Sequence, residues 1–411
     1  MTMLQQRFPH GEPIETRRLL HEIGSEPVDG PLTLGDPRVV DFLVALAKRL
    51  LSPAVARRHP ELGSLGFFLR RTELDRAIAG VSEESSRVLR FPRGTVFHVP
   101  PANVDTIFVY SWALSALAGN ANVVRISSRS AGAADAVLDA LNTTLETAHP
   151  AIAQTQRMVT YGRDDAVTAE LSLGCDLRVI WGGDGSVTDI RRHPLRPWAR
   201  DLTFPDRSSF AVLSAKSWQA ATPQRKREVA IGLYNDSYWF DQAACSSPRT
   251  LYWVGDPGPA AAAQRELFEL LSAVIDEKAH QVDAAMAVQK RVSTYGLAVE
   301  GAAKRVTFSG NAIATVELAD PGLIPRRWLG VGTFPQARVD SLAELVRIVE
   351  RRDQTVSHFG FTAEELTGFA RAVAGRGVDR FVPIGDALSF ASVWDGYDLL
   401  REFSKLTTVQ A

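Results

Sequence analysis

Thr95-Val96-Phe97-His98-Val99, preceded by Gly94 and followed by Pro100-Pro101, is where the texture of the chain changes. Its β-branched and aromatic residues between turn formers read as a strand. Runs of the same kind follow at 122–126, 157–161 and 177–181, separated by stretches of helical length such as 130–148. Strands joined by crossover helices pair in parallel, and such a sheet takes nucleotides at the carboxyl ends of its strands. The loops after these strands are therefore the first places to look for function. Upstream, residues 1–35 are rich in Pro, Gly and Glu without sustained periodicity. Val39, Leu43, Leu46 and Leu50 then fall at helical spacing. Downstream of about residue 205 a second α/β series begins. It has strand-like runs at 210–214 and 250–254, a helix over 223–233, a helix over 341–351 and a strand over 356–361. The expected division is 1–205 as N-terminal helices and a nucleotide-binding domain, 206–385 as a second α/β domain carrying the catalytic loop, and 386–411 as a tail.

The chain has 411 residues, of which 45% are hydrophobic and 23% charged. These are ordinary values for a folded protein and leave no room for a disordered or fibrous reading. With 46 Lys+Arg against 47 Asp+Glu the formal charge is −1, so no basic excess exists to neutralise a run of phosphates, and nucleic acid is not an expected partner. The longest apolar stretch, 107–118, is broken by Tyr110, Ser111 and Ser115 and is too short to span a bilayer. The two cysteines, Cys175 and Cys245, are too few for a disulfide framework. A cytoplasmic protein with free thiols is the expectation.

Several common motifs are missing. The glycine pairs 183/185, 330/332 and 375/377 are followed at the required offset by Thr188, Pro335 and Arg380, so the G-x-G-x-x-G dinucleotide fingerprint does not occur. No two glycines lie four apart, which removes the G-x-S-x-G elbow. The eight His residues include no pair within five positions, and no metal site is expected.

Three segments carry chemistry instead: His98-Val99-Pro100-Pro101-Ala102-Asn103-Val104; Ala118-Gly119-Asn120-Ala121-Asn122-Val123-Val124-Arg125-Ile126-Ser127-Ser128; and Asp241-Gln242-Ala243-Ala244-Cys245-Ser246-Ser247-Pro248. In this order they resemble the aldehyde dehydrogenase superfamily, with its Pro-x-Asn loop, its Gly-Asn-x strand ending in a cation, and its Gly-Gln-x-Cys nucleophile loop. Trp181-Gly182-Gly183, Asp353-Gln354-Thr355-Val356, and Arg380-Phe381-Val382-Pro383 with Trp394-Asp395-Gly396 look like the long-chain acyl-CoA reductases of the LuxC-like group. The resemblance runs over roughly residues 36–405. It implies an aldehyde dehydrogenase-like α/β fold and a homo-oligomer, dimer or tetramer.

The same resemblance implies roles. Cys245 is the nucleophile, on a polar loop whose N–H groups favour a thiolate; a lone cysteine is otherwise most often a small buried hydrophobe, which is the reading of Cys175. Asn103 supplies an oxyanion-hole donor. Pro101, Arg125, Ser127, Ser128, Trp181, Gly182 and Gly183 fall at the coenzyme. Where the family has a ribose-binding Glu this sequence has Ser128, beside Ser127 and between Arg125 and Arg129. A carboxylate there repels a 2′-phosphate, whereas hydroxyls and arginines accept it, so NADPH is the expected coenzyme.

Two departures choose the reaction. The segment 203–209, where the family carries a water-activating Glu, holds Asp206 as its only acid; 330–335, where a second Glu grips the nicotinamide ribose, holds none. An acyl-cysteine without a water-activating base exchanges with a thiol instead. The expected activity is reduction of an acyl-CoA or acyl-carrier thioester to an aldehyde. The alternatives are a hydrolytic NAD(P)-dependent aldehyde dehydrogenase and a non-redox acyltransferase or thioesterase.

Overall fold

The computed structural model describes residues 3–81, 87–101, 107–128 and 132–410. It divides into two units, Met1–Pro205 with Phe390–Ala411, and Asp206–Ser389.

The first unit is built on a seven-stranded sheet. Its parallel part runs Gln156–Thr160, Ala121–Ile126, Thr95–Val99, Leu177–Trp181, Arg200–Phe204, with Thr95–Val99 in the middle. The middle strand buries Val96, Phe97, His98 and Val99 on both faces, as a strand covered by helices on both sides must. Gly94 opens it at φ +130°, where a Cβ would fall 2.2 Å from Asp176 Oδ2. That carboxylate accepts from the Thr95 N–H at 2.9 Å, so only glycine lets the strand begin there. The apolar run after the Pro-Pro turn is the helix Ile107–Leu117, with all eleven of its residues buried. No helix among the described residues is long and apolar enough to cross a membrane.

The opening 35 residues are more regular than their composition suggests. Met3–Phe8 and His10–Glu15 form a hairpin that adds to the sheet antiparallel to Gln156–Thr160, and Thr16–Ile23 is a helix. On this edge only Leu4, Phe8 and Ile14 point inward, so the strand signal is carried by three side chains. Phe390–Ala411 groups with this unit, whereas the sequence reading set 386–411 apart as a tail. Leu399, Leu400 and Phe403 are fully buried, and Ser404–Thr408 pairs with Val88–Pro92.

The second unit has its own seven-stranded sheet, ordered Ala303–Ser309, Ile313–Leu318, Thr333–Val339, Pro248–Val254, Ser208–Ser214, Asp353–Phe359, Arg380–Pro383. All pairs are parallel except the first. Trp218, Leu251, Trp253 and Phe334 pack one face, and Phe210, Val212, Tyr252 and Val356 the other. The helix expected over 223–233 continues to Tyr238. The helix expected over 341–351 does not form: only Leu342–Leu345 is helical. Arg376 Nη2 donates to the Val346 carbonyl and Arg326 Nη2 to the Ile348 carbonyl, both at 2.6 Å. Those oxygens would otherwise receive the next helical turn. The strand expected at 356–361 begins earlier, at Asp353, a buried acid paired with Arg326.

Candidate active site

In the second unit, the helix Pro223–Tyr238 hands the chain to the loop that presents Cys245. Asp241 (φ 51°) and Gln242 (φ 60°) both adopt the left-handed region, which costs a non-glycine residue on the order of 1 kcal/mol and needs compensation. The buried Gln242 side chain supplies it. Its Nε2 donates to the carbonyls of Pro248 (2.8 Å) and Thr333 (3.2 Å), and its Oε1 accepts from the Thr333 N–H (3.1 Å). Trp328 Nε1 donates to the Asp241 carbonyl at 2.8 Å. The turn is thus clamped to the start of the strand Thr333–Val339. Three residues further on, Cys245 is half-buried, and its carbonyl accepts from the Ser209 hydroxyl at 2.6 Å. Cys175, in the other unit, contrasts with it. That thiol is fully buried, donates to the Ser172 carbonyl, and is pushed up to about 12 by burial, so no thiolate is available there at neutral pH.

Two residues near Cys245 were not singled out from sequence. Ser209 fixes the loop as described. Arg249, 6% exposed, donates from Nη2 to the Ala243 carbonyl (3.3 Å) and from Nη1 to the Arg326 carbonyl (3.4 Å). Its signal was present: an arginine at the head of the otherwise apolar strand Pro248–Val254 is out of place unless it has work to do. Asp206 is the one acid in the segment where the family carries a water-activating Glu, and its charge acts on Arg249. The neighbouring Arg207 is ion-paired to Asp379 at 2.7 Å.

In the first unit, the carboxyl ends of four adjacent strands line a cavity of about 560 Å³, within the usual range of roughly 300–1,000 Å³ for small-molecule sites. Of the seven coenzyme candidates, Pro101, Arg125, Ser127, Trp181, Gly182 and Gly183 line it together. Ser128 is exposed and is not among the lining residues. Asn103 lies outside the described residues. Arg125 sits over the Tyr161 ring at 4.7 Å, and Nη2 reaches the Gly162 carbonyl at 3.4 Å. Gly183 stands immediately before the helix Asp184–Arg191. Trp181 stacks on Phe204 with centroids 3.6 Å apart, and its buried Nε1 has no hydrogen-bond partner among the described residues.

The cavity also gathers residues that sequence reasoning passed over: Arg163, Asp164, Asp165, Arg192 and His193. Asp164 caps the helix Asp165–Gly174, and Asp165 pairs with Arg192 at 2.6 Å. Arg125 and Arg163 make no ion pair among the described residues, which leaves two guanidinium groups at the cavity for an anion. Arg163 follows a strand that was read correctly, so the rule that ligands sit beyond carboxyl ends would have found it.

The chain thus comprises a cysteine-bearing α/β unit and another unit, built on a mostly parallel sheet, whose glycine-edged cavity is lined by three arginines and three aspartates. Solved structures share the fold. An NAD-dependent aldehyde dehydrogenase from Sinorhizobium meliloti superposes with a TM-score of 0.69 at 14% identity, covering 96% of this chain and 86% of that one. Aldehyde dehydrogenase 21 from Physcomitrella patens gives 0.68 at 11% identity, covering 96% and 90%. The fold is aldehyde dehydrogenase-like. A family model described as acyl-CoA reductase (LuxC) matches residues 71–319, more than half of the chain, and the chain belongs to that family. The long-chain acyl-protein thioester reductase of Photorhabdus laumondii subsp. laumondii is 25% identical over 334 residues, 79% of this chain and 65% of that protein. The match thus spans just under two thirds of that relative's length.

Proposed function

We propose that the protein reduces an acyl thioester, carried by CoA or a carrier protein, to the aldehyde through an acyl-Cys245 intermediate, with NADPH as the hydride donor. The observation that carries this reading is the loop of Cys245. Two strained residues are held in place by Gln242 and Trp328, and a dedicated hydroxyl fixes the carbonyl of the cysteine itself. Family membership and the name of the Photorhabdus relative support the same chemistry.

The Cys245 thiolate attacks the thioester carbonyl. The tetrahedral oxyanion is held by backbone N–H and by the Asn103 side chain, and collapse expels the carrier as its thiolate and leaves acyl-Cys245. When bound, the reduced nicotinamide coenzyme supplies the hydride that turns the acyl carbonyl into a thiohemiacetal. Cys245 then leaves as thiolate and the aldehyde is released. Arg125, Ser127, Arg163 and the glycine pair Gly182-Gly183 are the groups that would hold the coenzyme. The Arg125 and Arg163 guanidiniums, which make no ion pair among the described residues, suit a 2′-phosphate, and Trp181 Nε1 in the same lining is a buried donor with no partner among those residues. Segment 203–209 has Asp206 in place of a water-activating Glu, and the charge of Asp206 acts on Arg249. This favours thiol exchange over hydrolysis.

The test is coenzyme consumption at the absorbance of reduced nicotinamide, run over acyl-CoAs of graded length and matching carrier-protein thioesters, with NADPH and NADH in parallel. Thioester-dependent oxidation of NADPH with aldehyde as product is expected. Oxidation of aldehyde to free acid with NADP⁺ in the absence of CoA, with no thioester-dependent turnover, would overturn the reading.

A further inference from the structure

We propose that Arg249 is the counter-ion of the Cys245 thiolate, a positioning residue that keeps the nucleophile charged and ties its loop to the strand Pro248–Val254; the proposal rests on the reading of Cys245 as nucleophile. A guanidinium stays protonated at any working pH, and burying it without an opposite charge is unfavourable. Arg249 is buried, yet it forms no ion pair among the described residues, and its Nε is buried without a hydrogen-bond partner. Its two hydrogen bonds go to backbone carbonyls, one of them Ala243, two residues before Cys245 in the same loop. A cation is thus held against the Cys245 loop with no ion-pair partner among the described residues.

The charged groups around it are few. Burial pushes the Arg249 guanidinium below its ordinary range, and the two charges that pull it back are, in order, those of Cys245 and Asp206. Arg326, whose carbonyl Arg249 reaches, turns its own guanidinium to Asp353 and Glu350 at 2.9 Å each. That pairing leaves Asp353 and Glu350 engaged elsewhere. Coulombic attraction is mutual, so whatever Cys245 does for Arg249 as an anion, Arg249 does for the thiolate. Asp206 competes for the same cation from the segment that enters the strand Ser208–Ser214.

The pH dependence of Cys245 alkylation by iodoacetamide, followed by mass spectrometry on the Cys245 peptide, reads this directly and needs no substrate. In Arg249→Gln the midpoint should rise by about one pH unit, which slows alkylation at pH 7 about tenfold. Arg249→Lys should recover most of that loss, because it restores charge without the planar fork. Asp206→Asn should move the midpoint the other way. A wild-type profile in a folded Arg249→Gln protein overturns the proposal. Should that variant fail to fold, an Asp206→Asn profile superimposable on that of wild type overturns it equally. Failure of the functional reading looks different: wild-type Cys245 would alkylate with an Arg249-sensitive profile yet take no acyl group from a thioester.

Discussion

The Ser209 hydroxyl donates to the Cys245 carbonyl across 2.6 Å, and the same oxygen accepts from the Thr355 N–H at 3.1 Å. One small side chain at the start of a central strand thereby joins the Cys245 loop to the neighbouring strand Asp353–Phe359. It does so where the ladder between the two strands shifts register, so the Thr355 N–H has lost a backbone acceptor and takes a side-chain one.

Ser209→Ala removes both bonds and leaves a buried N–H unsatisfied. A loss of about 1–3 kcal/mol in urea unfolding is expected, together with a several-fold fall in thioester turnover while Cys245 remains titratable. Wild-type stability and turnover in this variant would show that the loop is held by other contacts.

The cavity proposed for the coenzyme makes a prediction about selectivity. Arg125 and Arg163 stand at its edge with no ion pair among the described residues, and a charge-assisted hydrogen bond to phosphate contributes about 1.5–3 kcal/mol. Replacing either arginine with Ala should raise KM for NADPH about tenfold or more and leave KM for NADH within about twofold. Ser127→Glu should push preference further toward NADH. Equal losses for both coenzymes would place the adenosine 2′-phosphate elsewhere.

His98 predicts a pH dependence of stability. It is fully buried, with Nδ1 3.0 Å from Ser111 Oγ and Nε2 2.8 Å from Asn122 Oδ1, and burial pushes it from 6.5 down to about 4. Between those values the unfolded chain binds a proton that the folded chain refuses. The stabilisation from neutral His98 is therefore complete above pH 6.5 and is lost as pH falls to about 4. The stability difference between wild type and His98→Gln should be wider at pH 7 than at pH 4.5 by on the order of 2 kcal/mol. A difference that does not change with pH would contradict a neutral buried imidazole.

What could be read in the sequence followed from how strongly each segment signals. The strands Thr95–Val99 and Leu177–Trp181 stand where their apolar runs placed them, because both faces of a central parallel strand are buried and every residue contributes. The opening hairpin was missed because an edge strand with one wet face shows few inward side chains. The helix expected over 341–351 followed apolar spacing correctly, with Leu345 and Val349 both buried, but local periodicity does not report that two distant arginines take its carbonyls. In the candidate site, most residues next to a strand end or a family motif were found, and Arg163, Ser209 and Arg249 were not. Arg163 stands beyond a strand end and was legible there; the importance of Ser209 comes from partners 36 and 146 residues away, and that of Arg249 from a residue four positions away through a charge that spacing does not reveal.

The central claim is that Cys245 carries the acyl group. Incubating the protein with a labelled acyl-CoA in the absence of coenzyme, followed by denaturation and peptide mapping, tests it most directly. The account predicts thioester-linked label on the Cys245 peptide, none on Cys175, and none at all in Cys245→Ala. Undiminished labelling of Cys245→Ala, or label recovered on another residue, would contradict it.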